Sequence, residues 1–542
     1  MALAIFDLGL FRPRAPIFDP YPCSRLLHLA SLSILRHTST LAVPALDTQI
    51  TSTSTQYSLH GNLSSAAARD DDAYDEEMAQ PRLNKLCSRT LGIRSSMISK
   101  PTRKVLNDLK RKGYEVYLVG GCVRDMILRR TPKDFDIITS AELKEVVRAF
   151  SWCEIVGRRF PICHVHMDNS IVEVSSFTSC GKKISRALRD DIRKPPDFDE
   201  KDYLRWRDSL QRDFTINGLF FDPYANIIYD YVRGMEDIRK AKVQTVIPAG
   251  ESFGEDSARI LRAIRIAGRL GFRLSRETAY SIRTFSSSVL RLDKGRILME
   301  LNYMLAYGSA EATLRLLWRY GVLDILLPVQ AAYFVQSGFK RRDRGSNMLL
   351  SLFSNLDKLL APNRPCHSIL WVGMLAFHKA LYGHPRHPSV VAAYSLAINN
   401  GGNMVEALKI ARTISRPHDP RFVELLQEQW GGDPEVLRDD VMNLAKSIKE
   451  ALSSMTDENF VSQAMAAYPE APYSDLVFIP LGLYIRVCRM FQCVTRGSED
   501  GFRARQGGGI NYDLLAQGNM QEVRHTFARV VFDTVYPTIV EK

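Results

Sequence analysis

The chain has 542 residues, enough for two to four domains with cores of their own. Apolar residues make up 45% of it and no run of eighteen of them occurs, which argues against a membrane-spanning helix. Lys and Arg exceed Asp and Glu by 72 to 60, so the formal net charge of +12 favours a polyanionic partner, nucleic acid first. The nine cysteines are scattered, with no CxxC and no Cys/His set at zinc spacing; they read as reduced thiols, not as a disulfide framework or zinc site. His164 and His166 alternate on one strand with no matching ligand set, and read as structural.

Residues 1–68 are unlike a domain. Arg12, Arg14, Arg25 and Arg36 sit among Ser, Thr, Leu and Ala, acids are few, and 48–58 is almost entirely hydroxyl-bearing. This composition fits an organellar transit peptide, for chloroplast or mitochondrion alike; the plainer reading is a disordered tail with no address. Residues 69–93, with Asp70–Asp72, Asp75, Glu76 and Glu77, read as an acidic linker.

The folded chain is expected from about 94. Apolar Val105, Leu106 and Leu109 among basic residues predict an amphipathic helix over 101–112. A strand follows at 116–119, broken by Gly120–Gly121, then a short helical piece with Arg124 and Asp125. A second strand carries Asp134 and Asp136, and a helix over 142–150 comes next. Alternation through Ile162, Val165 and Met167, then Ile171–Val174, predicts a hairpin with a single acid, Glu173, in its second strand. Residues 181–210 are basic and poor in core residues. They read as a mobile loop that orders over substrate, or equally as solvated surface. Residues 219–232 alternate as another hairpin. From about 290 the chain turns helical, with helices expected at 298–305, 312–320, 347–360, 368–380, 403–413, 435–453 and 473–493; the last thirty residues give no clear pattern.

Two stretches carry chemistry. Asp134 and Asp136, at i and i+2 on a strand, point to one side with Cα atoms roughly 6.5–7 Å apart. That spacing suits two Mg²⁺ ions about 3.5–4 Å apart, the arrangement for in-line phosphoryl transfer. The glycine pair lets backbone N–H groups approach a triphosphate. The second stretch is the helix from Gly254 to Phe272. Ile260, Ala263, Ile264 and Ala267 form its core stripe. Asp256, Arg259, Arg262 and Arg265 recur every third residue beside it, a pattern that plain helix salt bridging also produces.

Gly120-Gly121, a short spacer, then Asp134-x-Asp136 resembles the nucleotidyltransferase superfamily. VGGCVRD at 119–125 resembles its class II branch, the bacterial-type poly(A) polymerases and tRNA CCA-adding enzymes. QRDFTIN at 211–217 is similar to the family's RRDFTIN, with Gln211 in place of the usual first arginine. The 255–272 helix is similar to its EDxxRxxRAxRFAxxLGF, with Ile266 in place of Phe. The resemblance covers roughly 100–330 and is weak beyond.

It implies an α+β architecture. A polymerase-β-like nucleotidyltransferase head (94–245) with a mixed sheet would be followed by a helical nucleotide-selecting neck (246–330) and a helical body (331–542). The activity implied is template-independent nucleotide addition to an RNA 3′ end from ATP, or from CTP and ATP. Asp134 and Asp136 would hold Mg²⁺, with Glu173 supporting them. Gly120, Gly121, Arg124 and Arg212 would hold the triphosphate, by bidentate guanidinium contacts in the case of the arginines. Asp213 belongs to the catalytic acid set of the poly(A) polymerase branch, either ligating a metal or orienting Arg212. Asp256 and Arg259 would read the base edge, with Arg262 and Arg265 supporting them or reaching phosphate. GRRF at 157–160 with His164-Val165, and LPVQAAYF at 327–334, are similar to the poly(A) polymerase branch, which favours adenylation over CCA addition. A catalytically silent RNA-binding protein of this fold is the reading from another class, and the intact Asp-x-Asp argues against it. No protein partner is indicated.

Overall fold

In the computed structural model the described residues are 83–537, apart from 158–160, 169, 181–193, 362, 428–432, 460–478, 498–501, 503–504 and 506–508. The transit-peptide expectation, the acidic run, most of GRRF and the basic half of the 181–210 loop lie outside them. The described residues belong to one compact unit.

The head is an eight-stranded mixed sheet. Its strands are β1 (Asn84–Cys87), β2 (Val116–Val119), β3 (Asp136–Thr139), β4 (Cys153–Val156), β5 (Ile162–Met167), β6 (Ser170–Ser176), β7 (Phe220–Asp222) and β8 (Ile227–Asp230), in the order β1-β8-β7-β2-β3-β6-β5-β4. All neighbours are antiparallel except β3 and β6. β1 corrects the expected boundary: residues 84–87, assigned above to a linker, form the edge strand on β8. Four short residues with only Leu86 turned toward the core give no readable period, which is why composition concealed them.

β2 is buried on both sides, so its alternate residues belong to two cores. Val116 and Leu118, with Ile137, Val165, Val172 and Val174, face helices α1 (Lys100–Arg111), α2 (Gly121–Ile127) and α3 (Leu143–Ala149) in a core continuous with the helical body. Tyr117 and Val119, with Ile138, Phe220, Tyr229 and Tyr231, face α4 (Glu200–Ser209). α4 corrects the loop expectation for 181–210. Trp206 packs edge-on to Phe198, and Arg205 is buried over the Tyr229 ring at 4.2 Å. Its guanidinium donates to Tyr117 and Tyr231 hydroxyls and to Asp202. A stretch rich in charge is therefore a core element, because its charges are paired inside.

The neck comprises α5 (Ala249–Glu255), α6 (Ala258–Leu270), α7 (Lys294–Leu305) and α8 (Ala310–Arg319). Ile260, Ala263, Ile264 and Ala267 are buried as their period predicts. Gly268 allows α8 to close in: a Cβ there would lie 2.6 Å from Thr313 Oγ1. The body is helical, chiefly α9 (Met348–Leu359), α10 (Ser368–Gly383), α11 (Pro388–Asn399), α12 (Pro434–Thr456), α13 (Leu481–Arg496) and α14 (Met520–Val535). α14 occupies the C-terminal stretch that gave no pattern. Phe527 on it meets Phe377 and Phe491 edge-on, and buried Arg524 donates to the Met490 and Arg489 carbonyls.

Candidate active site

Asp136 opens β3 at the end where β2 runs out, opposite Val119 across the pair. In the parallel neighbour Glu173 stands directly beside it. Val172 and Val174 turn into the α1 face, so Glu173 projects on the same side of the sheet as Asp136. Asp134 precedes the strand, in an exposed bend, which corrects the expectation that both aspartates lie on it. Burial pushes the Asp136 carboxyl above the usual carboxylate range; Asp134 and Asp213 add repulsion, and Arg212 and Arg262 oppose it. Burial, then Asp136 and Asp134, push Glu173 up to about 7. Its side chain is nonetheless 47% exposed, with His164 Nε2 3.8 Å away, so it is not an acid sealed in apolar surroundings.

The turn between β2 and α2 explains the glycine pair. Gly120 has φ +78°, a conformation L side chains rarely adopt, and a Cβ there would lie 3.3 Å from Asp136 Oδ2 and 3.4 Å from Arg212 Nη1. The aspartate and the arginine thus meet over a bare backbone. Arg212 is positioned by Asp208, one turn earlier on α4, which accepts from its Nε at 3.0 Å and its Nη2 at 2.9 Å. Asp208 is itself buried, so the guanidinium is aimed along a fixed axis.

Two of the expected contacts are otherwise arranged. Arg124 is buried, its Nε and Nη2 on Asp125 at 2.9 and 2.7 Å and its Nη1 on Asn217 Oδ1 at 2.6 Å. It braces α2 against the 215–217 turn with three of its five N–H donors. Asp213 orients Arg262. Its Oδ2 accepts from Arg262 Nε at 2.9 Å, while its Oδ1 accepts from Asn217 Nδ2 and the Phe214 amide. Burial alone would raise its pKa, but Arg262, Asn217 and the amide outweigh burial and hold it at about 2.

Arg262 therefore ties α6 to the head. Arg259 does the same less tightly, donating to Ser252 Oγ at 2.9 Å, Glu255 and the Gln211 carbonyl. Asp256 caps the start of α6 by accepting from the Ala258 amide at 3.0 Å. Arg265 pairs with buried Glu300 at 2.9 Å and lies over the Tyr303 ring at 5.2 Å. The every-third-residue pattern thus holds both meanings: three arginines make ion pairs, and the Asp213 pair joins neck to head.

Asp134, Asp136 and Glu173 form a donor set of hard oxygens that repel one another. Among the described residues no group of three or more His, Cys, Asp or Glu side chains is placed to hold a metal ion by itself. Mg²⁺ binds through one or two carboxylates together with water and substrate phosphates, so these residues fit it. Sequence reasoning overlooked Asp208, Asn217 and Lys133. Asp208 had a signal, standing four residues before Arg212, and Asn217 lay inside the quoted motif. Lys133 donates to Tyr307 at 3.4 Å and lies 5.2 Å from the centres of the Tyr303 and Tyr307 rings, contacts between distant segments that no local pattern shows.

Parts of the chain match known proteins in sequence. Residues 116–244 match the family described as "Poly A polymerase head domain", and 271–334 match "Probable RNA and SrmB- binding site of polymerase A". "Poly(A) polymerase I" of Escherichia coli O6:H1 is 32% identical over 289 residues, 51% of this chain and 60% of that protein. "CCA-adding enzyme" of Oceanobacillus iheyensis is 32% identical over 245 residues, 45% of this chain and 58% of that one. The chain thus spans about 60% of the length of these curated relatives. A solved CCA-adding enzyme of Bacillus stearothermophilus in complex with CTP is 22% identical, covering 74% of this chain and 94% of that one at a TM-score of 0.40. Among the described residues no helix is long and apolar enough to cross a membrane.

Proposed function

The chain belongs to the class II nucleotidyltransferase family, and from that premise we propose that it adds adenosine from ATP to RNA 3′ ends. The observation that carries this reading is the meeting of Asp136 and Arg212 over the Gly120 turn, with Glu173 beside Asp136 on the parallel strand and Arg262 within electrostatic reach. The RNA 3′-oxygen attacks the α-phosphorus, its proton leaves to solvent, and the bond to pyrophosphate breaks. Mg²⁺ bound by Asp134 and Asp136 would supply charge neutralisation at the α-phosphoryl group and acidify the 3′-hydroxyl. Arg212, held by Asp208, pairs with the triphosphate. Gly120 and Gly121 let that triphosphate lie against backbone. Arg262 and Asp213 fix the angle of α6, so that Asp256 and Arg259 can meet the base edge: a carboxylate accepts from an exocyclic amine, a guanidinium donates to a ring nitrogen.

CCA addition with CTP and ATP is the second reading, favoured by the identity to CCA-adding enzymes. The longer match to poly(A) polymerase I supports taking adenylation as the first reading. We further propose that residues 1–68 address the chain to chloroplast or mitochondrion, which a fluorescent fusion of that segment tests. Incubation with an unstructured RNA and with tRNA lacking its CCA end, each with the four NTPs singly and together, tests the activity. An ATP-only ladder on the unstructured RNA is expected. Addition confined to C, C and A on the tRNA would replace that reading, and no extension of either would leave a silent binder.

A further inference from the structure

A cleft of about 320 Å³ lies on the head between α1 and the β7–β8 turn, lined by Lys104, Asn107, Asp108, Lys110, Arg111 and Tyr224. It is far from the chemistry in two senses. α1 covers the sheet face opposite to the one on which Asp136 and Glu173 project. The register also sets Val119 against both Asp136 and Phe220, so β7 runs from the catalytic end of the sheet to its other end, where the 223–226 turn sits. The cleft is therefore remote from the carboxylates at Asp136.

The cleft has the parts of a single-strand nucleic-acid contact. Lys100–Lys112 holds six basic residues against one acid, Asp108. Tyr224 is 41% exposed, yet it is not a loose side chain. Asp222 Oδ1 accepts from the Tyr224 and Ala225 amides and fixes the turn, while the Tyr224 hydroxyl donates to Asn107 Oδ1 at 2.8 Å. Lys110 Nζ lies 5.7 Å from the ring centre. The ring is thus pinned at its polar end beside three cations. Those cations have surface partners: Lys104 on Asp168 at 2.5 Å, Lys110 near Glu115 at 3.9 Å, Arg111 on Asp108. Exposed pairs of this kind contribute little and yield to a phosphate.

We propose that this cleft is a second RNA contact, taking a single-stranded segment upstream of the 3′ end, with one base stacked on Tyr224 and flanking phosphates on Lys104, Lys110 and Arg111. Stacking on a fixed aromatic plate beside a basic track is how proteins hold single strands without reading sequence. The contact would anchor long substrates while short ones reach the active site without it. This rests on the reading that the chain extends RNA.

The test compares the full chain with Lys104→Ala/Lys110→Ala/Arg111→Ala and with Tyr224→Ala, on a primer of a few nucleotides and on a long unstructured RNA. On the short primer both variants should keep wild-type kcat and KM, which also shows that they are folded. On the long RNA, KM should rise about tenfold in each, at unchanged kcat. The triple variant's binding should lose about two from the slope of log K against log salt, for three phosphates released. Long-RNA KM and salt slope equal to wild type would overturn the inference and leave the basic face to an acidic protein or to solvent. Wild-type protein that neither binds nor extends either RNA would overturn the RNA reading itself, a distinguishable result.

Discussion

The head and the body are held together by different chemistry. In the head, polar side chains bridge elements distant in sequence: Arg124 to Asn217, Arg205 to Tyr117 and Tyr231, Arg262 to Asp213. In the body, apolar residues dominate the interior, as in α10, where twelve of sixteen residues are buried and His378 is the single ionisable one among them. Polar satisfaction needs particular atoms at particular places, so it leaves motifs in a sequence. Apolar packing needs volume and period, which many sequences supply. The head therefore announces its chemistry, and the body announces only that it is helical.

That contrast can be broken most severely at the carboxylates. Asp136→Asn should lower kcat by at least about 10³-fold while binding of RNA changes little. Because burial and like charges disfavour the ionised Asp136, the same variant should melt no lower than wild type without Mg²⁺; a large loss of stability would give this residue a structural role. The opposite case is Trp371→Ala. Trp371 is fully buried in α10 and donates to Asn302 on α7. Truncation should cost about 3–5 kcal/mol in denaturant melts, with single-turnover rates of the folded protein kept.

Arg262→Met probes the seam between head and neck. It leaves Asp213 buried without its cation, a loss of about 3 kcal/mol at neutral pH. The wild-type pair has a signed pH dependence. Asp213 sits at about 2 in the fold, below its ordinary 3.8, so its stabilisation is present above about pH 4 and is lost as pH falls toward 2. In the variant that acid limb should vanish, which urea melts between pH 2 and 6 would reveal. The smallest expected effect is Ser99→Ala at the start of α1, where the hydroxyl accepts from the Thr102 amide at 3.2 Å. It should cost about 1 kcal/mol and leave turnover unchanged.

What could be read beforehand follows the same division. Gly120-Gly121 and the acids could be read because glycine alone suits φ +78° and ψ −141° at Gly120, and because carboxylates are the ligands a Mg²⁺ ion would require. The α6 stripe was legible from period. The partners of its arginines were not, since Asp213 and Glu300 lie 49 and 35 residues from Arg262 and Arg265. α4 reads as a loop in the sequence because Arg205 and Asp202 look like surface charge until they are seen paired against Tyr231. β1 was hidden by its brevity, and α14 by buried Arg524, Thr526 and Glu522 interrupting an otherwise apolar face. In each case a polar residue inside the fold disguised the element that carries it.

Single-turnover transfer of AMP to RNA by Asp136→Cys, in Mg²⁺ and then in Mn²⁺, tests the metal-holding role of Asp136 most directly. A thiolate is a poor ligand for Mg²⁺ and a better one for a softer ion. The account expects almost no transfer with Mg²⁺ and partial recovery with Mn²⁺. Wild-type transfer by this variant in Mg²⁺, or transfer indifferent to which ion is present, would contradict it.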